Sequence, residues 1–179
     1  MDYPKIDKLK IVFYPDPVLK QTCAEVTRFD AGLKALVEKM VTLMKEANGV
    51  GLAAPQVGIP IRMFVCNPTG EEDDLLICVN PRFVDLQGAA EDEEGCLSLP
   101  GINVTMRRAT DATMLIQDAT GKALELKGSG LAARIWQHEA DHLDGKLIID
   151  NMSTSDEITN RRAIKQLKTD YIKLGAKPG

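Results

Sequence analysis

The chain has 179 residues, of which 44% are hydrophobic and 27% are charged, and its formal net charge is −4. This length and composition are typical of one globular unit, so we expect residues 1–179 to form a single domain. A mildly acidic chain lacks the surplus of Lys and Arg that neutralises phosphates, which disfavours a nucleic-acid binder. The charged N-terminus has no apolar core and no 18-residue apolar run follows it. We therefore expect neither a secretory signal nor a membrane partner.

The first long helix is predicted over residues 30–48, because its apolar residues recur at helical spacing between Asp30, a suitable N-cap, and Gly49, a suitable stop. A glycine-bounded loop is expected over residues 49–58. Short apolar or alternating runs follow, separated by Pro, Gly, Asn and Asp, and these predict β-strands. The predicted strands are residues 61–66, 75–79, 81–86, 102–106, 112–117 and 123–126, with a hairpin turn at 118–121.

A second helix is predicted over residues 129–144, ending at Gly145. A third begins near Thr154, which stands three residues before Glu157 at the spacing of a capping box. Its apolar residues then recur at spacings of 3, 4 and 3: Ile164, Leu167, Tyr171 and Leu174. Helices at both ends with strands between them predict an α+β fold rather than a doubly wound parallel sheet.

The second helix carries His138, Glu139 and His142 in an HExxH pattern. Two imidazoles at i and i+4 lie on one helical face and can converge on a metal ion, and the adjacent glutamate can take a proton from water at that ion. The alternative is a buried helix with two hydrogen-bonded histidines. The metal interpretation is favoured because the chain has only these two histidines, and because Leu131 and Ile135 extend their stripe as an apolar face.

A catalytic site of this kind needs a third protein ligand, and no histidine remains to supply it. The four cysteines show no CxxC spacing, so we expect reduced thiols, one of which can be a ligand. Cys96 is the stronger candidate because it lies in a predicted loop after Gly95, whereas Cys66 and Cys78 lie inside apolar runs. Glu157 is the weaker candidate, in the manner of a zincin-type metalloendopeptidase.

Three segments together resemble the motifs of the peptide deformylase family, in the family's order. They are residues 49–56 (GVGLAAPQ), 94–98 (EGCLS) and 137–142 (QHEADH), and residues 14–19 (YPDPVL) resemble the family's opening. The similarity extends from about residue 9 to about residue 150, with no departure at a position that the motifs define.

The resemblance implies a metal-dependent hydrolase that removes the formyl group from the N-terminal formylmethionine of newly made polypeptides and releases formate. It also implies a mostly antiparallel or mixed sheet around the HExxH helix, in one catalytic domain. The family's metal ligands carry over onto Cys96, His138 and His142. Its general base carries over onto Glu139, and its oxyanion-stabilising groups onto the Gln56 side chain and the Leu97 backbone amide.

The resemblance favours Fe(II) as the divalent metal, whereas the ligand types alone also permit Zn(II), Ni(II) or Co(II). A zincin-type endopeptidase and a non-catalytic binding module with a closed metal site remain the alternatives. For the substrate, Gly49, Gly51 and Gly95 would let an extended peptide approach the backbone, or they serve only as turn residues. Leu131 and Ile135 would line a pocket for the methionine side chain, or they pack in the core.

Charged segments outside the motifs have simpler interpretations. We expect Glu91, Asp92 and Glu93 to lie in a solvated loop, Glu94 to orient the site, and Asp141 to pair with an arginine. The basic residues of the last helix predict a solvated face, or a surface that docks on the ribosome. The expected location is the bacterial cytoplasm, with an organelle stroma or matrix as the alternative.

Overall fold

The computed structural model describes residues 5–173, and Leu174 lies outside them. Its larger sheet has five strands in the order β1-β2-β3-β6-β7, and β4 and β5 form a separate pair. All pairings between these strands are antiparallel, and an isolated parallel bridge joins Ala24 to Ile61. The strands are β1 (Gly51–Ala53), β2 (Met63–Cys66), β3 (Leu76–Gln87), β4 (Ala90–Gly95), β5 (Asn103–Arg108), β6 (Asp111–Gln117) and β7 (Ala123–Ser129).

Three α-helices accompany the sheets: α1 (Ala31–Glu46), α2 (Gly130–Leu143) and α3 (Thr154–Lys173). Short 3-10 helices lie at Ile6–Lys8, Pro17–Lys20, Ala54–Val57, Glu72–Asp74 and Ile148–Asn151. The predicted α+β class is confirmed, with antiparallel sheets and a C-terminal helix. None of the helices within residues 5–173 combines the length and apolarity needed to cross a bilayer.

Strand β2, the second strand of the larger sheet, shows how the sheet is covered on both faces. All four of its residues are buried, and successive side chains point to opposite faces. Met63 and Val65 belong to the apolar cluster that includes α1, whereas Phe64 and Cys66 belong to the cluster that includes α2. The sheet therefore separates α1 from α2, and α2 lies between the sheet and the β4–β5 pair.

The predictions for α1 and α2 are confirmed to within two residues at each end. Asp30 caps α1, since its side chain accepts a hydrogen bond of 3.1 Å from the Leu33 amide. The left-handed residue that ends this helix is Asn48, with φ 53°, rather than Gly49. Gly145 follows α2 at φ 71°, a conformation that favours glycine.

The two strands predicted at 75–79 and 81–86 are one strand, β3, which bends at Asn80. This residue has φ 49°, and its side chain bonds to both backbone groups of Val26 and to Gln117. The Asn80 side chain thus pairs with backbone groups next to the register shift between Val79 and Arg82. The strand therefore continues past Asn80, where the sequence pattern predicted a break.

Strands β1 and β4 are absent from the sequence prediction. Residues 51–53 were expected in a loop, and Glu91, Asp92 and Glu93 in a solvated acidic loop. That second expectation is wrong about the backbone, because these residues pair with β5, although their side chains are exposed as expected. Cross-strand pairing overrides the weak strand propensity of an acidic run.

Helix α3 begins at Thr154 as predicted, but its capping box lies one residue earlier than predicted. Ser153 Oγ accepts a hydrogen bond from the Asp156 amide (3.1 Å), and the Asp156 carboxylate accepts one from the Ser153 amide (3.3 Å). The reciprocal pair is therefore Ser153 and Asp156, not Thr154 and Glu157.

Replacing Ser153 with alanine is expected to destabilise the fold by about 1 kcal/mol, because an amide at the start of α3 loses its acceptor. Thr154→Ala is the matched control and should change the free energy of unfolding by less than about 0.5 kcal/mol. Denaturant titration of both variants measures the difference. A larger loss of stability in Thr154→Ala than in Ser153→Ala would show that Thr154 is the N-cap, as the sequence predicts.

Candidate metal centre

Helix α2 presents His138 and His142 on one face, one turn apart, with ring centroids separated by 5.0 Å. Cys96 approaches them from the turn that follows β4, and its sulfur lies 3.4 Å from His142 Nε2. One ligand atom from each of the three residues lies within 4.8 Å of the other two. The structure thus brings the three predicted metal ligands together.

The chemistry of these three donors fits a divalent cation. Burial raises the pKa of the Cys96 thiol to about 12, although the backbone amides of Ser98 and Leu99 act against this effect. Burial also lowers the pKa of His142, so its ring is neutral. A thiolate at this depth needs a positive charge beside it, and a neutral imidazole has a lone pair to donate. Two imidazoles and one thiolate would leave an open position, as catalytic sites have.

Glu94 occupies the centre of a buried charge network behind His138. Its Oε2 lies 3.0 Å from His138 Nδ1, which leaves the other ring nitrogen to face the metal site. Arg108 donates to both oxygens of Glu94, at 3.0 and 2.9 Å, and also to Asp141 on α2. Arg134 donates to Glu94 Oε1 at 2.8 Å. Burial opposes the charge on Glu94, yet the bonds from His138 and Arg108 outweigh it and lower its pKa to about 2.

The two arginines of this network, Arg108 and Arg134, were not among the site residues predicted from the sequence. The expectation that Asp141 pairs with an arginine is confirmed, and the partner is Arg108, which is 33 residues away in the sequence. Arg108 ends β5 on the buried side of a strand whose burial alternates. An arginine at a position where the strand's alternation predicts a buried side chain was the signal that could have identified Arg108.

Glu139 is 4% exposed, and its Oε2 has no hydrogen-bond partner among residues 5–173. Burial raises its pKa to about 8, despite the opposing effect of His138. Gly51 gives this carboxylate its space, because a Cβ atom at that position would overlap Glu139 Oε1. An unpaired buried carboxyl is costly unless something in the cavity beside it becomes its partner.

Gln56 is held in a single orientation beside the three donors. Its Oε1 accepts a hydrogen bond of 2.8 Å from the Ala53 amide, so its Nε2 faces the site. That nitrogen lies 3.2 Å from Ser98 Oγ and 3.5 Å from Cys96 Sγ. Its side-chain amide can therefore donate to a ligand atom bound near Cys96.

The segment before residue 15 bonds to the backbone of both Gln56 and the turn after Cys96. The Val12 amide donates to the Gln56 carbonyl (2.9 Å), and the Tyr14 amide donates to the Ser98 carbonyl (3.0 Å). The 3-10 helix that bears Gln56 and the turn that bears Cys96 are thereby tied to the same extended segment.

A cavity of about 400 Å³ opens on this centre. Its wall includes every predicted site residue except His142, which lies behind: Gly49, Gly51, Gln56, Gly95, Cys96, Leu97, Leu131, Ile135, His138 and Glu139. Ile135 is buried, but Leu131 is 56% exposed, so simple core packing is the wrong interpretation of Leu131. Glu157, the alternative metal ligand, is exposed on α3 and does not belong to the donor cluster.

The chain is similar to known proteins over most of its length. The family model described as polypeptide deformylase matches residues 8–157. A peptide deformylase of Thermodesulfovibrio yellowstonii is 40% identical over 162 residues, which cover 89% of this chain and 98% of that protein. The chloroplastic peptide deformylase 1B of Oryza sativa is 39% identical over 166 residues, 91% of this chain and 62% of its own length. A crystal structure of Plasmodium falciparum peptide deformylase superposes with a TM-score of 0.89 at 38% identity, covering 94% of this chain and all of that one.

Replacing Glu94 with glutamine should weaken metal binding by about 10- to 100-fold, because the partner that orients His138 loses its charge. Competition with a chromophoric chelator measures the affinity. Glu93→Gln, on the neighbouring exposed residue, is the matched control and should bind the metal as the unmodified protein does. Equal affinities in all three proteins would contradict a role for Glu94 in holding the metal.

Proposed function

This chain belongs to the polypeptide deformylase family, and we propose that Cys96, His138 and His142 hold the metal ion with which it works. It is a peptide deformylase, which hydrolyses the formamide at the N-terminal formylmethionine of newly synthesised polypeptides. Water adds to the formyl carbon, the carbon–nitrogen bond breaks, and formate and a free amine leave. We further propose that residues 1–179 act as one catalytic domain.

The observation that carries the residue assignment is the convergence of three donors, an unpaired buried carboxyl and an oriented amide on one cavity. The zincin-type alternative is not favoured, because Glu157 is remote from the donors. When bound, the cation supplies Lewis acidity, which lowers the pKa of water and polarises the formyl carbonyl.

Glu139 is the proposed proton carrier. Its free Oε2 would take a proton from the attacking water and return it to the nitrogen of the leaving amine. The space at Gly51 lets this carboxyl lie against the cavity.

Gln56 and Leu97 are the proposed oxyanion-stabilising groups. As the formyl carbon becomes tetrahedral its oxygen gains negative charge, which Gln56 Nε2 and the Leu97 amide would stabilise. Each such donor is worth about 3 kcal/mol of transition-state stabilisation. Because Ala53 fixes the carbonyl end of Gln56, the amide needs no reorientation during the reaction.

The peptide substrate would bind between two open strand edges. Within residues 5–173, β1 pairs only with β2 and β4 only with β5, and both contribute to the cavity wall. Gly49 and Gly51 on one side, and Gly95 on the other, would let an extended peptide pair with the backbone. Its methionine side chain would lie against Leu131 and Ile135.

We favour Fe(II) as the native ion, with Zn(II), Ni(II) or Co(II) as alternatives. One thiolate and two neutral imidazoles reduce the formal charge of a divalent site to +1, and each of these ions accepts such ligands. Anaerobic purification with metal analysis should return Fe(II) in stoichiometric amount together with formate release. Stoichiometric Zn(II) in the active protein under the same conditions would contradict the assignment.

Glu139→Gln is expected to keep the metal and lower kcat for a formyl-Met peptide by about 10²- to 10⁴-fold, because the proton carrier is lost. Formate release and metal content are measured on the same preparation. Glu157→Gln is the control, and both quantities should be unchanged. Loss of activity in the control alone would support the endopeptidase assignment of residues.

Helix α3 provides the proposed contact with the ribosome, where the substrate emerges. Its exposed residues include five cations: Arg161, Arg162, Lys165, Lys168 and Lys173. Such a face suits the phosphates of ribosomal RNA. We propose the bacterial cytoplasm as the location, while the relative from a chloroplast keeps an organelle as the alternative.

Reversing three charges of α3 (Arg161→Glu, Arg162→Glu and Lys165→Glu) should weaken co-sedimentation with ribosomes at least roughly tenfold, because phosphate contacts are replaced by repulsion. The matched control reverses three charges on α1: Lys34→Glu, Lys39→Glu and Lys45→Glu. Equal ribosome binding by both triple variants would contradict a contact through α3.

A further inference from the structure

A second cavity of about 200 Å³ adjoins the one that opens on the metal centre. Leu131 and Arg134 are common to the walls of both cavities, within the part of the chain that the structure describes. These two side chains therefore form the partition between the cavities. The rest of the second wall comes from Ala90, Glu91, Asp92, Ala109, Thr110 and Gly130.

Arg134 is the fixed part of this partition. Its Nη1 donates to Glu94 Oε1 (2.8 Å) and to the Met106 carbonyl (3.0 Å), and its Nη2 donates to the Ala90 carbonyl (2.9 Å). These acceptors lie on β4 and β5, so the guanidinium is held across the gap from α2 to the small sheet. Its side chain is only 12% exposed.

A role in stabilising the Glu94 carboxylate does not account for all three hydrogen bonds of Arg134. Arg108 already donates to both oxygens of Glu94, whereas two of the three bonds of Arg134 go to backbone carbonyls. Those two bonds hold the end of the side chain at the boundary between the cavities.

We propose that Arg134 is a specificity-determining residue that closes the far end of the pocket for the first side chain of the substrate. This inference rests on the proposed placement of the methionine side chain against Leu131 and Ile135. Side chains about as long as methionine end before Arg134 and fit. Longer unbranched side chains meet the guanidinium, and they enter the second cavity only when that side chain is shortened.

The test compares two peptides that differ only at the first residue, formyl-Met-Ala-Ser and formyl-(2-aminodecanoyl)-Ala-Ser. The kcat/KM of each is measured with metal-loaded enzyme by formate release. Since one methylene group in an apolar pocket changes discrimination by about tenfold or more, Arg134→Ala should reduce the preference for methionine at least roughly tenfold. An unchanged preference in folded, metal-loaded Arg134→Ala overturns the proposal.

Two further variants serve as controls, one for the charge of Arg134 and one for the loss of an arginine elsewhere. Arg134→Met fills similar space without the hydrogen bonds and should keep most of the preference of the unmodified enzyme. A loss as large as that of Arg134→Ala would show that the charge network, not the partition, sets specificity, and would overturn the proposal. Arg107→Ala removes an exposed arginine that lines neither cavity, and it should leave the preference unchanged.

Leu131→Ala covers the case in which Arg134→Ala does not fold. Leu131 is exposed in the first turn of α2, so its truncation does not threaten the core, and it thins the same partition. It should also weaken the preference for methionine, and an unchanged ratio would overturn the proposal. Failure of the unmodified, metal-loaded enzyme to release formate from formyl-Met-Ala-Ser would instead contradict the proposed function.

Discussion

The buried carboxylate of Glu94 is the constraint on which the centre depends. It lies on β4, receives two hydrogen bonds from Arg108 on β5 and contacts His138 and Arg134 on α2. A buried charge is tolerated only when its partners surround it, so these three elements must meet at one point for the fold to form. The contact with His138 also orients one of the imidazoles that we propose to hold the metal. The same ion network therefore stabilises the fold and orients His138.

The larger sheet supplies the opposite wall of the site. Phe64 and Cys66 of β2 pack in one apolar cluster with residues of α2, which holds the helix against the sheet. Glu139 then faces β1, where only a glycine leaves room for it. Packing buries this carboxyl, and its Oε2 has no hydrogen-bond partner among residues 5–173.

The sequence predicted those parts of the structure in which one local pattern determines the outcome. The period of 3.6 residues and the caps located α1 and α2, and the HExxH spacing placed two histidines on one face. The third ligand followed from elimination together with the turn residues around Cys96, and a family resemblance pointed to Gln56 and Leu97. All of these residues except His142 line one cavity, and their roles are predictions.

Features that arise only from contacts distant in sequence were missed. Strand β4 is acidic and has no strand propensity of its own, so only its pairing with β5 reveals it. The partner of Asp141 could not be chosen among the arginines without the fold. Leu131 shares a helical stripe with Ile135, yet Leu131 is exposed and Ile135 is buried. Periodicity specifies a direction around the helix and not a depth of burial.

The open edge of β4 has a consequence for the behaviour of the protein at high concentration. An edge that can pair with an extended substrate can also pair with the same edge of a second molecule, which is how sheet proteins begin to aggregate. Glu91, Asp92 and Glu93 place three adjacent carboxylates on that edge. Two such edges repel each other, whereas a single peptide without this charge density does not meet the same repulsion. The acidic run would thus disfavour pairing between two copies and leave the edge open to the substrate strand proposed above.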